Sequence, residues 1–146
     1  MALAPQASMN PLSLTGRTAL LTSLFTLGCA TTAQPMVAGS AVPASEGTVN
    51  AVAGTGGNTD LTVRVKHLAP ANRVASDAQV YVVWVQPLNS PPQNVGVMTV
   101  DDALMGELKT STTHRNFTLL ITPEPNGQTQ QPSHDAVFTT SVRRAD

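Results

Sequence analysis

An all-β fold, an immunoglobulin-like antiparallel β-sandwich of six or seven strands, is what this sequence predicts for its second half. Two observations carry that prediction. From about residue 59 to residue 144 apolar side chains recur at every second position, the period of strands that turn one face to a core and the other to water. Between those runs stand clusters rich in Pro, Gly, Asn and Asp, close enough together to separate short strands rather than helices.

The chain opens differently. Arg17 precedes an uncharged, mostly apolar run from Thr18 to Leu27, closed by Gly28-Cys29-Ala30. A basic flank, about ten apolar residues and a small-residue exit are the parts of an export signal, and the run is too short to cross a bilayer as a helix. Residues 1–29 therefore read as a signal segment and place the rest outside the cytoplasm. Cys29, the sole cysteine, has Gly28 before it, as an acylated lipoprotein cysteine would, although Thr26-Leu27 reverses the usual order. Cleavage after Ala33, with Thr31 and Ala33 as the small residues, is the other exit, and translation from Met9 instead of Met1 is compatible with both.

Beyond residue 29 the chain carries seven Lys/Arg against nine Asp/Glu, eight basic residues in all less Arg17, for a formal charge of −2. The charges are scattered singly. No basic stripe is available to displace counterions from nucleic acid, and no polybasic cluster to bind anionic lipid, so the membrane contact expected is an N-terminal lipid anchor on Cys29. Without a second cysteine the domain has no internal disulfide and depends on a packed core.

Residues 30–58 are mostly Ala, Thr, Gly, Ser, Val and Pro with Glu46 as the only charge and no aromatic. Small side chains gain little on burial against the cost of ordering the backbone, so this stretch reads as a flexible tether, with Thr48 to Val52 available as an edge strand. The domain proper then covers residues 59–146.

Its first strand alternates Leu61, Val63 and Val65 with Thr62, Arg64 and Lys66, the pattern of an outer strand. Gln79 to Gln86 is apolar on both faces, with Val80, Tyr81, Val82, Val83, Trp84 and Val85, and reads as a central strand. Three prolines between Pro87 and Gln93 end it. Val95, Val97 and Thr99 alternate again, and Asp101-Asp102 with Gly106 suggest a hairpin into Glu107–Thr110. Phe117, Leu119 and Ile121 form a further buried strand, expected to stop at Pro123-Glu124-Pro125-Asn126-Gly127; a last strand runs from Ala136 to Arg143 with Val137 facing opposite to Phe138 and Val142.

The candidate residues divide into structural and chemical ones. Trp84, Tyr81 and Phe117 are expected in the core, and Gly96, Gly106 and Gly127 at turns or bulges. His67, His114 and His134 suggest a small periplasmic metal-binding protein as the alternative function, but they are far apart in sequence and lack a Cys or a His-X-His pair, so no metal or other cofactor is expected. Ser133-His134-Asp135 has the residue types of a hydrolase in consecutive positions, where extended neighbours point to opposite faces and cannot line up. Asp101-Asp102 with Glu107 is short of the oxygens a calcium cage needs. Asn116-Phe117-Thr118 is a formal glycosylation sequon at a strand start. No catalytic residue is expected.

Tyr81-Val82-Val83-Trp84, Asn94-Val95-Gly96, Gly106-Glu107-Leu108, Phe117, Thr122-Pro123-Glu124-Pro125 and Gln131-Pro132-Ser133 together resemble the extracytoplasmic C-terminal domain of the anti-sigma-K-factor family, over about Tyr81 to Val142. The resemblance implies an exported sensor-like or structural module without catalytic residues. The family's sigma-binding helices have no counterpart in the seventeen residues before the apolar run. A non-enzymatic cell-envelope protein that contacts another, unidentified envelope protein through a sheet edge or loops is the function expected.

Overall fold

The computed structural model describes residues 32–145. The apolar run and Cys29 lie outside the described residues. Eight strands account for the fold: β1 (Gln34–Ala38), β2 (Glu46–Ala53), β3 (Thr59–Lys66), β4 (Val80–Pro87), β5 (Gln93–Met98), β6 (Gly106–Thr112), β7 (Asn116–Glu124) and β8 (Phe138–Arg143). They form one antiparallel sheet in the order β5-β4-β7-β8-β1-β2-β3-β6, curled until its two end strands nearly meet. Among the described residues helix is confined to the single turn α1, Ala71–Val74, and a short 3-10 turn at Thr55–Gly57.

The stretch expected to be a tether contributes two strands, β1 and β2. Glu46–Ala53 pairs with β3 along its whole length, from Glu46 opposite Lys66 to Ala53 opposite Thr59, and β1 pairs on its other side. Composition predicted too little burial here, yet a strand needs few large side chains when its neighbours supply them: Val49 is buried in the central core and Met36 with it. Gly47 has a packing reason, since a Cβ there would come within 2.5 Å of Met36 Cε and 3.0 Å of the Phe138 ring. The small residue lets both large ones close over it.

The recruitment of β2 also corrects the placing of β3, which is an inner strand between β2 and β6 and not an outer one. Its alternation holds, with Leu61, Val63 and Val65 buried and Arg64 and Lys66 exposed. On its outward face Arg64 Nε lies 2.6 Å from Glu107 Oε2 of β6 and holds that carboxyl below the usual carboxylate range.

β1 joins two halves of the sheet. Its first residues pair with β2 and its last, Val37 and Ala38, with Thr139 and Phe138 of β8. A second seam forms at the chain's end, where Ala145 bridges to Val52 and Arg144 Nη1 donates to the carbonyls of Gly57 and Asn58 at 2.9 and 3.1 Å.

β4 is an inner strand, flanked by β5 and β7. Tyr81, Val83 and Val85 enter the core, as do Phe117, Leu119 and Ile121 of β7 and Phe138 and Val142 of β8. The Tyr81 hydroxyl donates to the Ala69 carbonyl at 2.7 Å and so ties the connection carrying α1 across one end of the core; burial pushes this phenol up to about 12.

Two expectations about neighbours fail. β5 and β6 are consecutive in sequence but stand at opposite ends of the strand order and share no ladder, so they are not a hairpin. The turn after Asp101 is long enough to carry the chain across the gap: Asp101 Oδ1 accepts the Met105 amide at 2.9 Å, with Leu104 at a φ of 59°. β7 also does not stop before its prolines, because Pro123 pairs opposite Tyr81 and Glu124 opposite Val80. Pairing with β8 ends at Ile121 opposite Phe138, so Pro123 occupies a place where one side has no ladder partner.

Candidate functional site

Alternation on β4 turns Val82 and Trp84 away from the core that holds Tyr81, Val83 and Val85. Both are nonetheless fully buried. Trp84 is therefore buried in a second layer, on the outer face of the sheet, whereas Tyr81 and Phe117 lie in the central core.

The segment 125–137, between β7 and β8, passes over this face. One anchor is on β5, where the Asn94 side-chain amide donates to the carbonyls of Gly127 and Thr129, both at 3.0 Å. The other is on β7, where the Glu124 carboxylate receives the Ser133 amide at 2.9 Å. Because β4 lies between β5 and β7, and Asn94 stands opposite Trp84 in the ladder, a strap fixed at those two points must cross over Trp84.

Beneath the strap the polar atoms form a continuous row. Trp84 Nε1 donates to Thr122 Oγ1 at 2.8 Å, and that hydroxyl donates to Glu124 Oε1 at 2.6 Å. Ser133 Oγ contacts Glu124 Oε2. Glu124 is 0% exposed, yet all its partners are neutral hydroxyls and an amide. A buried carboxylate without a cation is costly unless its oxygens are filled with donors, and three donors converge here.

The row continues outward. Ser133 Oγ is 3.0 Å from His134 Nδ1, and His134 Nε2 is 3.0 Å from Asp77 Oδ1. The structure thus brings Ser133 and His134 side by side, against the expectation for extended neighbours, because this segment is irregular and not strand. The carboxylate that completes the row is Asp77, 57 residues earlier, and not Asp135. Two features separate it from a nucleophilic triad. The serine hydroxyl is engaged by a buried carboxylate, and its own amide points to that carboxylate instead of into a space where an oxyanion would form.

The remaining candidates are dispersed. The carbonyl of His67 accepts from Ser45 at one end of β3 and that of His114 accepts from Thr59 at the other, so about 25 Å of strand separates them. Among the described residues no three of His, Cys, Asp and Glu group as a metal site would require. Asn116 is exposed at the start of β7 beside a groove of 430 Å³ walled by Leu88, Phe117 and Arg143.

A second groove, of 640 Å³, runs between β5 and the strap and presents the amides of Gln93, Asn94, Gln128 and Gln130. At its edge Val95 is an extra residue, since Val83 pairs with Gly96 and Trp84 with Asn94. The bulge frees the Val95 carbonyl from the β4 ladder, and Thr110 Oγ1 of β6 donates to it at 2.7 Å. One side-chain bond thus bridges the gap between the end strands.

Sequence reasoning did not single out Asp77 or give Asn94, Thr122 and Glu124 a task. The last three fall within the segments carrying the family resemblance, but nothing in their spacing shows that they face a tryptophan. A scan against protein-family models, a search of curated proteins and a search of solved structures each return no match for this chain.

Proposed function

We propose that this is a non-enzymatic, exported cell-envelope protein, anchored through Cys29, whose β-domain is an immunoglobulin-like sandwich that binds another envelope protein, much as the extracytoplasmic domains of the anti-sigma-K-factor family act as exported modules. The sandwich assignment draws its support from pairing: β2-β3-β6 on one side and β5-β4-β7-β8 on the other, with β1 passing between them. A non-enzymatic role accords with a serine and histidine committed to holding the strap.

The observation that carries the binding role is the state of the end strands. β5 and β6 each have one ladder neighbour, and only the Thr110 to Val95 bond crosses between them, so this seam is the weakest closure of the sheet and its parting offers backbone donors and acceptors on both edges to an added strand. The amide-lined groove beside β5 offers neutral donors and acceptors to its side chains.

Two measurements test this. Intact mass of the protein from the membrane fraction, against a Cys29→Ser variant, shows an acylated chain starting at residue 29 that the variant lacks; a soluble chain beginning near Gln34 refutes the anchor. Photo-crosslinking residues placed at Gln93 and Lys109, on the end strands, give an adduct with an envelope protein, whereas one at Glu46 gives none. Equal labelling from all three positions refutes the edge as the binding surface.

A further inference from the structure

Three contacts join four side chains in a row: Glu124 Oε2 to Ser133 Oγ, Ser133 Oγ to His134 Nδ1, and His134 Nε2 to Asp77 Oδ1. With both carboxylates ionised and the imidazole neutral, the row owns two hydrogens, one on the hydroxyl and one on the ring. Three contacts need three. In that state one contact is left as lone pair against lone pair, and the place to break it is at Asp77, whose side chain is 63% exposed and can turn to water, while Glu124 is enclosed.

One added proton completes the row in either of two arrangements. On Glu124, it is donated to Ser133, whose hydroxyl donates to Nδ1 while Nε2–H donates to Asp77. On the ring, Nδ1–H donates to Ser133, the hydroxyl donates to Glu124, and Nε2–H again donates to Asp77. The two differ only by a shift of protons along the serine hydroxyl, so the proton belongs to the group of four and not to one member.

We propose that Glu124, Ser133, His134 and Asp77 are a one-proton latch: with the proton bound, the strap 125–137 is fastened to the connection 75–79, and with the proton lost that fastening opens. The surroundings leave the latch to these groups. On the outer face β4 offers Val80, Val82, Trp84 and Gln86, and Glu124 is the one titratable side chain that β7 adds beside Thr118, Leu120 and Thr122. β5 contributes Asn94. Asp135 on the strap and Arg73 on α1 are the other charged side chains of the segments that meet here, and both are exposed.

The chemistry makes an unusual demand of the Asp77→Asn variant. Its amide brings its own hydrogen and donates to the bare Nε2 of a neutral ring, so three contacts are satisfied without the extra proton. Protection of the strap amides against hydrogen exchange, with Ser133 as the reporter, is followed in the full-length protein between pH 5 and 8. In the unsubstituted protein protection falls roughly fivefold as pH rises, in His134→Ala it is low throughout, and in Asp77→Asn it stays high throughout. Protection that does not change with pH in the unsubstituted protein overturns the latch. So does a fall in Asp77→Asn that matches the unsubstituted protein, a result that decides the matter even if His134→Ala does not fold.

Discussion

The indole Nε1 of Trp84 donates to the hydroxyl of Thr122 at 2.8 Å, on the side of β4 that turns away from the central core. The bond fixes the largest side chain of the domain to the strand beside it and passes, through the same hydroxyl, to the buried carboxylate of Glu124. The sheet is therefore packed on both faces at this point, by a core on one side and by a strap on the other.

Replacing Trp84 separates its two contributions. Trp84→Ala removes a fully buried indole and is expected to cost about 3 to 5 kcal/mol in urea unfolding. Trp84→Phe keeps most of the apolar area but loses the donor to Thr122, and about 1 kcal/mol is expected. A loss below 1 kcal/mol for Trp84→Ala would show that the strap does not seal this face.

Glu124→Ala leaves the Thr122 hydroxyl and the Ser133 amide without their acceptor beneath the strap. About 3 kcal/mol of destabilisation is expected, with loss of exchange protection at Ser133 before any at the β4–β7 ladder. Uniform loss across all strands would place the carboxylate's role in the whole fold and not in the strap.

A Cβ at Gly127 would collide with Cγ2 of Val97, so the strap lies on β5 only because this position has no side chain. Gly127→Ala should lift the strap and destabilise the domain, and Val97→Ala introduced with it should restore most of the loss. A double-mutant cycle measures this coupling; additive costs would mean that the two residues do not touch.

Tyr81 is the only tyrosine, so phenolate absorbance at 295 nm reports it alone. Its folded value of about 12 lies above the ordinary value of 10, which means that the native state favours the neutral phenol. The stability this represents is complete below pH 10 and is lost as pH climbs from 10 to 12. Titration of the folded protein near pH 10 would contradict the burial of this hydroxyl.

Deleting residues 32–53 would be harmless to a domain that began at residue 59. With β1 and β2 in place as neighbours of β8 and β3, the same deletion removes Met36 and Val49 from the core and bares two ladders in the middle of the sheet. The truncated chain is expected to lack cooperative thermal unfolding, and a sharp transition would return those residues to the role of tether.

Alternation made most of the strands legible. Leu61-Val63-Val65 and Phe117-Leu119-Ile121 each declare a buried face, because a side chain's direction along a strand depends only on its own backbone. β2 was obscure for the opposite reason. Gly47 is covered by Met36 and Phe138 and Val49 stands opposite Val63, all of which belong to other strands. The site was harder still to read: Glu124 and Ser133 stand nine residues apart, but His134 and Asp77 are 57 apart and Asn94 lies 33 before the carbonyl it holds.

Local pattern alone determined that the domain is all-β, that Val80–Val85 is buried on both faces, and that prolines and glycines separate its strands. Tertiary structure decided which strands are neighbours, that β5 and β6 end the sheet instead of pairing, and that Trp84 faces a strap and not the core. The division is physical: periodicity is a property of one strand, whereas order in a sheet and the meeting of hydrogen-bond partners depend on what the rest of the chain leaves uncovered.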